Sequence, residues 1–386
     1  MENRNIYNMN ITIIGSGIAG TALYAALHKS GFNVQLFAKS EEITGGVLTL
    51  WPNALHALRG LDLDELVLQA GTPKITSHVM NVRGKTIVRV PIHKIRDAHG
   101  VPVISIARNK LGELLKGTVP SDYVTANKEC SGFTLQENKA VVLFKDGSYH
   151  TTDLLVGTDG IHSIIRSSLF GWSAPRYAGR VSWNGVAMNV KLPLEENGVY
   201  EIQGAGKRIG FTAIGPGTVG WYANMNQPED FSPPQNPVPY LLQHFHNWPM
   251  NITSLFECTD PAIIRAFKIQ DRDPISSWSQ SCVTLAGDAA HPMTPDAGQG
   301  ACQAIEDAVV LTRCLLKNPN ITEAIRQYEF HRIPRTTEIV NYARKIGRIS
   351  NWDKPWSVWV RELMFRSIPP DKLVAPFIKL ANFKMP

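Results

Sequence analysis

Apolar positions along the chain change period several times, and each change marks an element. Ile11 to Ile14 form a β-branched run without alternation, the pattern of a strand buried on both faces. Thr21 to His28 then read as a helix and Asn33 to Phe37 as a second strand. Pro52 opens a short helix after a glycine turn. From about Thr72 to Val90 the pattern alternates around Arg83-Gly84, as paired strands do. Val103 to Ala107 predicts another strand, Arg108 to Leu115 a helix, and Phe133 to Gln136 with Val141 to Phe144 a hairpin. Leu154 to Val156 is again wholly apolar. Val181 to Asn226 is strand-rich, with turns at Gly204-Ala205-Gly206 and Gly215-Pro216-Gly217, and predicts an antiparallel sheet. The proline-bearing segment Gln227 to Pro239 reads as a loop. Val283 to Ala286 returns to a buried strand, followed by helices over Ala301 to Leu316 and about Thr322 to Ile349. Trp352, Trp356, Trp359 and Phe365 stud a last helical stretch, which is expected to pack on the body, with a membrane contact or a gate to the pocket as the alternatives for its tryptophans.

Three of the apolar strands run directly into glycines and acids. The first is followed by Gly15, Gly17 and Gly20 in the G-x-G-x-x-G spacing, between strand and helix. Gly15 permits a tight turn, Gly17 lets a pyrophosphate approach the backbone, and Gly20 lets helix and strand pack closely. The helix then presents free N–H groups and the positive end of its dipole to phosphate. The motif in this context points to a bound dinucleotide. The acidic residue that binds ribose hydroxyls, about 20 residues past such glycines, is missing: Ala38 and Lys39 stand there. The second strand enters Asp159-Gly160 and the third Gly287-Asp288.

Composition narrows the classes. A chain of 386 residues suggests two domains, and 44% hydrophobic with 19% charged residues is globular. The net charge of +6 is scattered, with no dense basic block of the kind that binds nucleic acid. Cys130, Cys258, Cys282, Cys302 and Cys314 show no metal-binding spacing, so no metal site is expected. They read as reduced thiols of a cytoplasmic protein, and no signal peptide or transmembrane stretch is apparent.

The order Gly15 to Gly20, Arg108, Asp153 to Ser163 and Gly287-Asp288-Ala289-Ala290-His291-Pro292 resembles the single-component (class A) FAD-dependent monooxygenases. The continuation through Pro295-Asp296-Ala297-Gly298-Gln299-Gly300 and Glu306-Asp307-Ala308 strengthens it. The para-hydroxybenzoate hydroxylase-like fold is implied. The subgroup most resembled contains salicylate hydroxylase, urate hydroxylase and zeaxanthin epoxidase. The resemblance implies an α/β chain. A Rossmann-like, GR2-type FAD domain is expected over 1–72, 101–178 and 270–340. An inserted antiparallel-sheet substrate domain is expected over 73–100 and 179–269, and C-terminal helices over 341–386.

The resemblance also implies a set of cofactor-binding positions: Gly15, Gly17, Ile18, Ala19, Gly20, Lys39, Gly46, Val47, Arg108, Asp159, Gly160, Asp288, Pro295, Gly298, Gln299, Gly300 and Ala301. Asp288 is expected on the ribityl chain, Arg108 on the phosphates and the Gly298-Gln299-Gly300 turn at the flavin ring. Helix capping is the alternative for Asp159 and Asp288. His291 is expected to belong structurally to the flavin-binding turn. On the substrate side, Gly204-Ala205-Gly206-Lys207-Arg208 resembles a segment whose arginine orients an anionic ring, which makes Arg208 a candidate catalytic residue. Tyr222 is the second candidate, with core packing as its alternative.

The activity implied is hydroxylation or epoxidation of a small aromatic, heteroaromatic or polyketide-like substrate by NAD(P)H and O₂, through a flavin hydroperoxide. A flavin reductase or oxidase without oxygen transfer is the rival, and a flavoprotein that only binds its ligand is another. Neither the substrate nor the choice between NADH and NADPH is written in the sequence.

Overall fold

The computed structural model describes residues 9–40, 45–120 and 124–386. Its first layer is a five-stranded sheet in the order Val283–Leu285, Leu154–Gly157, Asn10–Ile14, Asn33–Phe37, Val124–Thr125. Every neighbouring pair is parallel. Ile11 sits opposite Leu154 on one side and Val34 on the other, so this strand is covered on both edges. The helices Ile18–Lys29 and Gly300–Lys317 pack together on this sheet, and the apolar runs meet there in the larger core. The first helix starts at Ile18, three residues before the apolar pattern suggests, because Gly17 already serves as its N-cap.

Strand order does the decisive work. Asn10–Ile14, Leu154–Gly157 and Val283–Leu285 are neighbours in one parallel sheet, so their carboxyl ends lie side by side. Gly15 to Gly20, Asp159-Gly160 and Gly287-Asp288 therefore share one edge, where open α/β sheets place ligands.

The second layer is a seven-stranded sheet, in the order Arg265–Asp271, Arg176–Met188, Thr218–Asn226, Lys207–Gly215, Gly198–Gln203, Thr76–Asn81, Thr86–Val90. It is antiparallel except where Gly198–Gln203 pairs in parallel with Thr76–Asn81, the strand contributed by the earlier segment. Thr72–Lys74, part of the same alternating stretch, instead joins Val47–Leu50 and Val103–Ala107 in a small separate sheet. The large sheet's two faces follow the period of two. Trp183, Trp221, Ile202, Ile209 and Phe211 turn toward the helices Pro237–Phe245 and Thr253–Glu257 and form the second core. Pro237 lies within the expected loop yet opens a helix; proline fits the first turn, where its missing N–H costs nothing. The opposite face carries Arg180, Ser182, Asn184, Glu201, Gln203, Arg208, Tyr222 and Asn224 and is polar, yet none of these is exposed: Asn184, Glu201 and Tyr222 are half-buried and the others buried. The strand of the small sheet covers it: a Cβ on Gly220 would meet Val47 at 2.7 Å, and one on Gly46 would lie 3.7 Å from Asn184.

The C-terminal helix packs on the body as expected, but not through its tryptophans. On the helix Pro355–Ser367 the inward side holds Arg361, 0% exposed, which donates to Gly204 O and Ser350 O at 2.9 Å. Trp356 and Trp359 face outward, 66% and 65% exposed. Guanidinium bonding to two carbonyls, rather than apolar burial, fixes this helix's rotation.

Candidate functional site

The glycine turns have the shape a cofactor backbone needs. Gly15 adopts φ +109°, and any Cβ there would meet Thr158 O at 2.6 Å. A Cβ on Gly20 would lie 1.8 Å from Gly15 O, so helix and turn are in backbone contact. Gly17 and Gly300, in contrast, have no neighbour within 4 Å of an added Cβ. Both stand at helix starts whose N-caps offer no side-chain hydrogen bond, and neither helix has an acid in its first turn. Their free N–H groups suit anionic or carbonyl groups of a ligand. Gly298 adopts φ +61° against Trp51 Nε1 and turns the chain into the Gly300 helix. Ile18, Ala19 and Ala301 lie in the first turns of these two helices. Pro295 begins the 3₁₀ turn leading to Gly298.

Asp288 and Arg108 are the charged pair of this edge. Both side chains keep solvent-accessible surface, yet protein surrounds each closely. Desolvation pushes the Asp288 carboxyl up, against the pull of His291 and Arg108. It pushes the Arg108 guanidinium down, against the pull of Asp288. Neither side chain forms a hydrogen bond or close ion pair with another described residue. Two opposite charges are thus coupled through space without closing on each other. Such an arrangement fits a flavin nucleotide, whose hydroxyls can donate to the carboxylate and whose phosphates can accept from the guanidinium. Arg108 N donates to Gly46 O at 2.9 Å, which ties the helix start to the Gly46-Val47 strand.

A buried network holds the Asp288 turn. Asp307, 0% exposed, accepts from Gly287 N at 2.8 Å and from His291 Nε2 at 2.6 Å. Arg332 donates to Asp307 at 2.6 Å, and also pairs with Glu306. Glu306 accepts from Asn53 at 2.6 Å, and Asn53 also donates to Gln299 at 3.0 Å. Arg166 donates to Ala289 O and Ala290 O. Thus both turns, 287–291 and 298–300, hang from one ionic cluster on the helix Gly300–Lys317. His291 has a structural partner here, as its place in the turn leads one to expect. The Arg332 contribution lies 25 residues further along the chain, and no local signal in the sequence announces it.

Other expected residues are placed less openly. Asp159 accepts from Ser163 Oγ at 2.5 Å and Ile164 N at 2.7 Å, so its carboxylate caps the helix Ile164–Phe170. Lys39 is 73% exposed at its side chain and pairs with Glu129 at 3.1 Å, while Ala38 beside it is buried. Gly160 adopts φ +81° with open space about its Cβ position.

The two catalytic candidates come together, but inside a closed cluster. Arg208 is 4% exposed. It pairs with Asp296, lies 3.4 Å from Glu201 Oε2, and its Nε lies 3.1 Å from the Asn224 carbonyl oxygen, with that amide oriented to its neighbours. Its guanidinium stands 5.6 Å from the Tyr222 ring. Tyr222 donates its hydroxyl to Glu201. Asp296 also binds Arg180, which donates further to Gly347 O at 2.7 Å. The glycine at 210 makes the contact possible: the Tyr222 ring lies over it, where any Cβ would sit 2.3 Å from Cε1. Glu201, Arg180 and Asp296 were not among the sequence candidates. For Glu201 and Arg180 the signal was the polar half of the strand alternation, which does not say whether water or protein covers that face; Asp296 comes from the turn Pro295–Ala297.

Comparison with known proteins agrees with this geometry. Residues 8–343 match the family described as FAD binding domain. Aurachin C monooxygenase/isomerase of Stigmatella aurantiaca is 35% identical over 369 residues, covering 95% of this chain and 96% of the relative. The chloroplastic zeaxanthin epoxidase of an Oncidium hybrid cultivar is 31% identical over 90% of this chain, which spans 56% of that longer relative. The crystal structure of Klebsiella pneumoniae HpxO complexed with FAD and uric acid has a TM-score of 0.92 at 26% identity, covering 98% of each chain.

Proposed function

The chain belongs to the FAD binding domain family, and on that premise we propose how its residues divide the work of an FAD-dependent monooxygenase. FAD, when bound, supplies the redox chemistry: it accepts a hydride from NAD(P)H and activates O₂, one atom of which enters an electron-rich ring or alkene. The chain's own residues bind, orient and shield. The Gly15–Gly20 turn and its helix start receive the pyrophosphate. Arg108 offers donors to the phosphates, and Asp288 accepts from the ribityl hydroxyls. The N–H groups at Gly300 and Ala301 stabilise negative charge at the pyrimidine side of the flavin ring. Asp159 holds its turn by capping the following helix, and Lys39 acts, at most, from the rim.

One observation carries this reading: three glycine/acid turns lie on one sheet edge, with Asp288 and Arg108 accessible and unclosed between them. The substrate is a small molecule of aromatic, heteroaromatic or polyketide-like type, held between the flavin edge and the polar face of the large sheet. No nucleic acid is expected as a partner. No helix among the described residues is long and apolar enough to cross a membrane. Free cysteines, four of the five buried, support a reducing cytoplasmic setting.

The test is direct. Purified protein should be yellow and release a flavin that analyses as FAD. With its substrate it should consume NAD(P)H and give a product heavier by one oxygen. Colourless protein that gains no flavin spectrum on adding FAD would overturn the reading. NAD(P)H oxidation that never yields an oxygenated product would favour the reductase or oxidase instead.

A further inference from the structure

Charge balance on the polar face of the large sheet says what kind of ring can lie there. Two guanidiniums, Arg180 and Arg208, pair with two carboxylates, Asp296 and Glu201; a third, Arg361, is bonded to the Ser350 and Gly204 carbonyls and reaches Glu201 and Arg208 only through space. Asp296 is 0% exposed at its side chain, and both arginines are under 5%. Asp296 stands in the turn that leads to Gly298, so the cluster abuts the flavin edge. An incoming carboxylate would find Arg208 already engaged by two acids. It would also have to displace one of them in a dry site, leaving a buried charge unpaired.

The member that keeps accessible surface is Glu201, with 18% of its side chain exposed. Its Oε2 accepts from Tyr222 and Arg208, and its Oε1 accepts from Gln203 Nε2 at 2.5 Å. A carboxylate has about four acceptor sites, so one remains for a ligand. Gln203 Oε1, in a residue 3% exposed, has no hydrogen-bond partner among the described residues. Glu201 and Gln203 project from the same face of one strand, two residues apart. This part of the site thus offers acceptors in search of a donor, beside an arginine whose charge is already neutralised.

We propose that Glu201 is a specificity-determining residue that selects an uncharged ring bearing an N–H or O–H donor, and that Arg208 positions Glu201 and Asp296 rather than binding a substrate anion. The proposal rests on the monooxygenase reading for the location of the ring, and it replaces the anionic ring suggested by the Gly204–Arg208 segment. Glu201 accepts the ring's donor hydrogen and excludes carboxylate-bearing analogues by repulsion.

The experiment uses the FAD-loaded full chain and two matched pairs of probes: salicylamide with salicylate, and 4-quinolone with its 2-carboxylate. Binding is read from the shift of the flavin absorbance band and from protein melting, neither of which needs turnover. The wild type should bind the neutral member of at least one pair tenfold or more tighter than its anion. Glu201→Gln, which keeps the shape and removes the charge, should lose that preference or reverse it, because Arg208 then lacks its second acid. Glu201→Asp should retain it, and so should Tyr222→Phe, which leaves the carboxylate charged. A purely structural Glu201 would lower melting in Glu201→Gln without moving the neutral-to-anion ratio. That result, tighter binding of anions by the wild type, or no binding by any probe overturns the proposal. Oxygenated product failing to form while the neutral preference persists would instead sink the monooxygenase reading and leave this one standing.

Discussion

Two regions of this molecule hold opposite charges close together and use them oppositely. At the sheet edge, Arg108 and Asp288 attract each other through space but do not close into a pair. On the polar face of the large sheet, Arg208, Arg180 and Asp296 close on one another, and Glu201 joins them at the accessible margin. An unclosed pair keeps hydrogen-bonding capacity for a ligand, and its removal should reach affinity before stability. A closed buried cluster has spent that capacity on the fold, and removing one member strands its partners in low dielectric. A catalytic-looking arginine is therefore not read from its type alone. What its neighbours already take from it decides its use.

The sharpest break of the comparison acts on the turn that makes the open site possible. Gly20→Val should abolish soluble, flavin-containing protein, because its Cβ would lie 1.8 Å from Gly15 O. Relief needs backbone movement, and overpacking of this sort costs about 3 kcal/mol or more. Expression yield and the ratio of flavin to protein measure it; a yellow, well-folded variant would refute the close packing.

Next comes the closed side. Asp307→Ala should cost roughly 3–5 kcal/mol of stability, since it leaves Arg332 buried without one acid and frees Gly287 N. Denaturant unfolding checks this. Acid should act in the same direction. Burial alone would raise the Asp307 carboxyl, but His291 and Arg332 beside it outweigh burial and leave it depressed to about 2. An acid depressed in the folded state stabilises it above its unfolded pKa of about 3.9, and that stability is lost as pH falls toward the folded value. The loss between about pH 4 and pH 2 should be of the order of 2 kcal/mol. Asp307→Asn should flatten this part of the stability profile; an unchanged acid limb would show that another carboxylate governs it.

Asp288→Ala sharpens the contrast from the open side. It should weaken FAD binding by roughly 1.5–3 kcal/mol, the range of charge-assisted hydrogen bonds. Melting of the flavin-free protein should stay near that of the wild type, since Asp288 closes no pair among the described residues. Equilibrium titration with FAD and melting of the apoprotein separate the two. Equal affinity would make Asp288 a local turn residue only.

The smallest effect is expected at Lys39. Its pair with Glu129 is largely exposed, and such pairs contribute little. Lys39→Ala should change FAD affinity by no more than roughly twofold. A much larger loss would give this rim lysine the ribose role that Ala38 cannot perform.

Much of the cofactor edge was legible because its determinants are local. A run such as Ile11–Ile14 reads as a buried strand wherever it is placed, and glycines at 15, 17 and 20 constrain the backbone within six residues. The same holds for Gly298, whose left-handed φ follows from its own missing side chain. The Asp307–Arg332 bond and the Arg361 clamp were not legible, since each joins elements whose approach no local pattern encodes. The outward tryptophans show the limit from the other side: packing of this helix on the body was expected, and the Arg361 bonds to the Ser350 and Gly204 carbonyls decided which of its faces turns inward.

By itself, then, the chain determined the three glycine/acid turns, the strands that carry them and the class of cofactor they suit, because backbone geometry and side-chain period act over a few residues. It also determined that alternate positions of the large sheet are polar. Only the tertiary structure decided that this polar face is closed off from open solvent, with Val47 and Gly46 lying over Gly220 and Asn184, and that Arg208 spends its charge on Asp296 and Glu201. The reason is physical. A charge's energy depends on the dielectric around it and the partners within a few ångströms, and for Arg208 those partners come from residues 201 and 296, which only folding brings together.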